Sequence, residues 1–115
     1  MTQSLYLPST SEIRRRRREL TPETSAAFGA FSQAAFAEGQ LSVKMKQIIA
    51  VAVAHVTQCP YCIEGHTKAA QLAGATPEEL MEAVWVAAEM RAGGAVAHST
   101  IMLSALETDH GQHEG

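Results

Sequence analysis

Along most of this chain the apolar residues recur at helical spacing, and no stretch shows the strict alternation of a half-buried strand. Ala27, Phe28, Phe31, Ala34 and Ala35 predict a helix from Pro22 to about Ala37, with Thr21 as its cap and Gly39 ending it. Ser42 is placed to cap a second helix over 43–57. Its segment Ile48 to Val56 is apolar nearly all round, which predicts the central, most buried element. A third helix begins at Gln58 or Cys59, accommodates Pro60 in its first turn and runs to about Ala73, where Gly74 suits the position just past a helix end.

Thr76-Pro77-Glu78-Glu79 has the capping-box pattern and opens a fourth helix, with Leu80, Ala83, Val84, Ala87 and Ala88 on one face. Gly93-Gly94 is expected to break it from a fifth, over about 95–107. Ahead of these, Leu5-Tyr6-Leu7-Pro8 reads as a short extended segment, and Ser9-Thr10-Ser11 as the start of a brief helix carrying Arg14 to Arg18. The fold class is all-α, a bundle of about five to six helices. It divides into an arm over 1–20, a helical domain over 21–107 and a polar tail over 108–115.

Composition adds three things to this picture. A chain of 115 residues is one small domain. Its apolar content comes from Ala, Val, Leu, Ile and Met rather than aromatics, which favours helices and predicts that part of the apolar surface is buried between subunits. The net charge of −3 gives no case for nucleic acid or an anionic membrane as partner. The run Arg14 to Arg18 reads as a solvated arm, or one docked on an acidic neighbouring subunit. No apolar leader is visible, and Ile48 to Val56 is too short to span a bilayer, so a cytoplasmic location is expected. Trp85 and the methionines Met45, Met81, Met90 and Met102 read as packing residues, and His110 and His113 as part of the polar tail.

The chemistry concentrates in Cys59-Pro60-Tyr61-Cys62-Ile63-Glu64-Gly65-His66, which contains both cysteines of the chain. On a helix, Cys59, Cys62 and His66 stand at i, i+3 and i+7 and share a face. Two thiols one turn apart can close a disulfide, and an imidazole one turn further on can move their protons. A helix N-terminus stabilises a thiolate, which favours Cys59 as the nucleophile; proximity to His66 favours Cys62. Spacing alone leaves both open. In a reducing cytosol such a pair is more often catalytic or metal-binding than structural. A zinc-holding module would need a fourth ligand from His55, His98 or another subunit, and the usual second Cys/His set is absent.

Leu41-Ser42-Val43-Lys44-Met45-Lys46-Gln47-Ile48-Ile49-Ala50-Val51-Ala52-Val53 followed by this segment resembles the carboxymuconolactone decarboxylase superfamily, in its alkylhydroperoxidase D (AhpD)-like branch. The likeness continues through Ala73 to Leu80 and Gly93-Gly94 and covers roughly 21–107. It implies an all-helical subunit assembling into trimers or hexamers, and a dithiol peroxidase or disulfide reductase needing no cofactor or metal of its own. The partners it implies are a hydroperoxide and an external dithiol reductant, a lipoyl or thioredoxin-like protein. By position, Cys62 matches the attacking cysteine, Cys59 its resolving partner and His66 the relay histidine.

One position departs from the pattern. The relay glutamate expected twelve residues before the first cysteine is Gln47, which can hydrogen-bond but cannot take up a proton at neutral pH. His55, in the otherwise apolar central helix, is the first candidate to replace it, followed by Glu89 and His98. The alternative activity within the superfamily is a lactone-cleaving decarboxylase, which has no need of the cysteines.

Overall fold

The computed structural model describes residues 6–108. These form five helices, α1 (Ser11–Leu20), α2 (Pro22–Phe36), α3 (Val43–Thr57), α4 (Pro60–Leu72) and α5 (Pro77–Glu107), with no strand among them. His110 and His113 lie outside the described residues.

Local signals set most helix ends. The Ser42 hydroxyl accepts the Met45 N–H at 3.1 Å and starts α3. Thr76 and Glu79 form the full capping box of α5, the hydroxyl accepting from the Glu79 N–H and the carboxylate from the Thr76 N–H. At the end of α4, Gly74 adopts φ +101, the Gly74 N–H reaches Gln71 O and the Ala75 N–H reaches Ala70 O. That Schellman pair satisfies the Ala70 and Gln71 carbonyls and turns the chain toward α5.

Two expectations are corrected. Thr21 stands where a cap was predicted, but its side chain caps nothing in α2; the hydroxyl donates to Arg17 O at 3.4 Å. It closes α1 and opens α2 at once, at φ −141 and ψ 71, and its hydroxyl is taken by the preceding turn. The larger correction is at Gly93-Gly94, where the helix continues. The two predicted helices are one element of 31 residues, roughly 46 Å long. A break needs a residue that leaves helical dihedrals and a cap for the next helix. Neither glycine takes positive φ, and Ala95-Val96-Ala97 supplies no capping oxygen.

The core is small and built largely of alanine. Val51, Ala54, Ala70, Ala75, Leu80 and Ala87 are buried, and they lie where α3 packs against both α4 and α5. Small side chains let three helices approach closely, which fixes α3 and α4 side by side and hence the site between them. α3 is central as its pattern predicts, yet one side of it is uncovered: Val53 is 52 % exposed. α1 and α2 bury no residue, and Phe28 and Phe31 are about two-thirds exposed. The radius of gyration is 20.2 Å, against roughly 13 Å for a compact chain of this length. No helix among the described residues is long and apolar enough to cross a membrane.

Candidate active site

The site begins with a strained turn. α3 ends at Gln58, a non-glycine residue with left-handed dihedrals (φ 62, ψ 43), and the N–H groups of Gln58 and Cys59 both reach Ala54 O, at 2.8 and 3.2 Å. The reversal delivers Cys59 to the N-cap of α4, with Pro60 in the first turn, where a missing N–H costs nothing. Cys59 does what serine or threonine usually does there: its Sγ accepts the Cys62 N–H at 3.3 Å.

That placement separates the two thiols. Cys59 is held below the ordinary thiol value, first by the hydrogen bond from the Cys62 thiol, then by the Cys62 and Tyr61 amides. Cys62 is pushed up, first by the same hydrogen bond, then by burial and by the Cys59 charge. The thiolate form is thus favoured at Cys59 and disfavoured at Cys62.

His66 follows one turn further along α4. Its Nδ1 lies 2.8 Å from Gln47 Oε1 on α3, so with Nδ1–H donating to the amide oxygen the imidazole presents Nε2 as its free base. On its other side the ring stacks on Phe36, with centroids 5.1 Å apart and planes 15° from parallel. Phe36 is the last residue of α2, and Lys46 holds that helix end in place: its Nζ donates to Ala35 O at 2.9 Å and Ala37 O at 2.6 Å. A cation on the last carbonyls of a helix is favoured by the dipole.

Cys62 and His66 share the wall of a cavity of about 580 Å³ with Phe36, Leu41, Ile49 and Val53. Cys59 is not on that wall, so the more acidic sulfur lies behind and the less acidic one faces the space a substrate would enter. At the opposite edge of the CPYC turn, Tyr61 Oη donates to Leu7 O at 2.7 Å and Tyr6 meets the Tyr61 ring edge-on at 6.2 Å, laying the N-terminal segment across the start of α4.

Of the residues singled out in the sequence, Cys59, Cys62, His66 and Gln47 come together. His55 does not join them. Its Nδ1 is 2.8 Å from Val51 O, one turn back on its own helix, and it lines a separate cavity with Ile63, Thr67 and Leu80 between α3, α4 and α5. Glu89 and His98 lie exposed on α5, off the wall of the cavity that holds Cys62. Among the described residues no group of three His, Cys, Asp or Glu side chains is arranged to hold a metal ion. No motif in the sequence marks Phe36 or Lys46. The only local signal for Phe36 is its place at the end of the apolar pattern of α2, and its partner is thirty residues away.

An all-helical chain with two thiols at a helix N-terminus and a hydrogen-bonded imidazole one turn on defines the class of this protein. The chain belongs to the carboxymuconolactone decarboxylase family, whose model matches residues 22–105. It is 62 % identical over 81 residues to uncharacterized protein 4 in the cox locus of Paracoccus denitrificans, covering 70 % of this chain and 73 % of that one. Among solved structures it resembles a carboxymuconolactone decarboxylase family protein from Legionella pneumophila, with a TM-score of 0.65, 35 % identity and coverage of 81 % and 83 % of the two chains. It also resembles a family protein from Thermotoga maritima for which a role in the antioxidative response has been suggested. There the TM-score is 0.54 and the identity 25 %, over 72 % of this chain and 96 % of that one.

Proposed function

We propose that this protein is a thiol-dependent antioxidant oxidoreductase that reduces hydroperoxides through a Cys59–Cys62 dithiol. The observation that carries the reading is that Cys62 and His66 face one apolar cavity while Cys59 sits one turn behind, at the helix N-terminus. His66 Nε2 takes the Cys62 proton, and the thiolate attacks the outer peroxide oxygen. The O–O bond breaks, the sulfur becomes a sulfenic acid, and the leaving alkoxide takes the proton from His66 to depart as alcohol. Cys59 thiolate then attacks the Cys62 sulfur, expelling hydroxide, which is protonated to water, and an intramolecular disulfide forms. An external dithiol, a lipoyl or thioredoxin-like protein, reduces it by exchange. Gln47 orients His66 and accepts no proton, so in this cycle the imidazole works alone as the proton carrier.

The suggested antioxidative role of the Thermotoga relative agrees with this assignment. The decarboxylase alternative leaves both sulfurs without a task. The working unit is a homo-oligomer, a trimer or hexamer: exposed aromatic residues on α2 and an extended chain support burial of those faces between copies. The cytoplasm, which keeps such a pair reduced, is its proposed location.

Consumption of an organic hydroperoxide with a dithiol tests the reading. Cys62→Ser is expected to abolish turnover, and a variant that keeps the wild-type rate would overturn the mechanism. Stoichiometric zinc in the purified protein would overturn it in favour of a zinc-holding module.

A further inference from the structure

The cavity beside Cys62 has an apolar wall with one permanently charged residue on it, Lys46. Lys46, Ile49, Ala50, Val53, Ala54 and Thr57 form one stripe along α3, so the cavity is a groove on the order of 16 Å long with the ammonium at one end. α4 runs back alongside α3, with the Cys59 N–H on Ala54 O and His66 on Gln47. Cys62 therefore lies a helical turn beyond His66, away from Lys46, and ammonium and sulfur are separated by on the order of 10 Å of apolar wall.

Lys46 is only partly satisfied. An ammonium has three donors, and two are used, on Ala35 O and Ala37 O. Among the described residues no carboxylate stands within ion-pair distance of it. The end of α2 offsets about half of its charge, leaving net positive charge and one open donor at the groove's end. That combination fits a monoanion with an apolar tail: one oxygen for the remaining N–H, and a chain to cover the wall.

We propose that this groove binds a single-chain carboxylate, with Lys46 taking the carboxylate and the α3 stripe taking the chain. If the peroxidase reading above holds, on which this extension rests, the preferred substrates are hydroperoxides of fatty acids, presented to Cys62 at mid-chain, rather than small or neutral peroxides.

Binding tests the site without any redox chemistry. Titrating the reduced full chain with decanoate and with methyl decanoate should show the acid binding about 10-fold or more tightly, one charge-assisted hydrogen bond being the difference. Lys46→Met should erase that preference and leave ester binding in place; Lys46→Arg should keep it. Because the readout is a ratio, a general disturbance of α2 moves both ligands together and does not imitate the result. Equal affinity for acid and ester in the wild type, or a preference that survives Lys46→Met, overturns the proposal. So does failure of both probes to bind an assembled oligomer, which would assign the groove to a second copy of the chain. Comparing kcat/KM for a fatty-acid hydroperoxide and its methyl ester then tests the substrate class. If neither is reduced while decanoate binds, the peroxidase reading fails and the binding site stands.

Discussion

The ring of Phe36 lies face to face with the imidazole of His66, 5.1 Å away, so a residue at the end of α2 fixes a side chain of α4. Stacking of this kind contributes about 0.5–1.5 kcal/mol beyond the area buried. Phe36→Leu keeps an apolar side chain and removes the platform. It is expected to lower peroxidase kcat/KM about 3- to 10-fold, with Phe36→Tyr close to wild type. A Phe36→Leu rate equal to wild type would reduce the contact to packing.

Gln47 fixes the other edge of the same ring. Gln47→Leu leaves Nδ1–H without its acceptor and frees the imidazole to turn, which should cost at least about 10-fold in turnover, given that a positioned proton carrier contributes roughly 10²–10⁴. Gln47→Glu keeps the hydrogen bond and adds a group that can hold a proton. A faster Gln47→Glu enzyme identifies proton transfer as the limiting step; an unchanged rate places the limit elsewhere, in reduction of the disulfide or in product release. Pre-steady-state formation of the sulfenic acid separates these outcomes.

The two thiols should alkylate in a fixed order. Cys59 is depressed chiefly by the Cys62 thiol that donates to it, and Cys62 is raised by the same bond. With iodoacetamide on reduced protein, Cys59 is expected to react first, its rate reaching half-maximum at a lower pH than an unperturbed thiol would. Cys62→Ala removes the largest cause and should move that midpoint upward. Peptide mass mapping across pH reads both, and prior labelling of Cys62 would contradict the order.

Glu79 ties the start of α5 to α3 through Lys44 Nζ at 3.0 Å and to its own cap through Thr76. Its carboxyl is held below the usual range, first by the Thr76 N–H and then by Lys44. A depressed carboxylate contributes stability that is full above its unfolded value of about 4.3 and is lost as pH falls through the lower folded value. Glu79→Gln should therefore lower Tm near neutral pH by a small amount, and the two melting curves should converge on the acid side. A gap that persists in acid would assign the effect to packing.

Signals confined to a few neighbouring residues were the readable ones. Ser42, the Thr76–Glu79 box and Gly74 each act within four residues, and all three behave as their sequence context predicts. Cys59, Cys62 and His66 are legible as a cluster for the same reason, since one helix and its cap carry them. Contacts between elements were not visible. Phe36 meets His66, and Lys46 grips α2, only because α3 packs beside α4 and the chain returns through 37–42. Gly93-Gly94 reads as a break because glycine costs about 1 kcal/mol in a helix, yet no residue after it caps a new helix and α5 runs through. His55 drew attention as a polar group in an apolar run, and the carbonyl of Val51 on its own helix supplies its partner.

Cys59 caps α4 only while its sulfur is free. In the proposed cycle, closing a Cys59–Cys62 disulfide commits that atom to Cys62 and is expected to weaken its hold on the Cys62 N–H, loosening the first turn of α4. A cap contributes about 1 kcal/mol, and in a two-electron couple 1.4 kcal/mol corresponds to about 30 mV, so losing the cap on oxidation would correspond to an upward shift in reduction potential on the order of 20 mV. On that cycle the capped sulfur would lean the couple toward the dithiol, and the oxidised protein would be a readier electron acceptor than an uncapped pair.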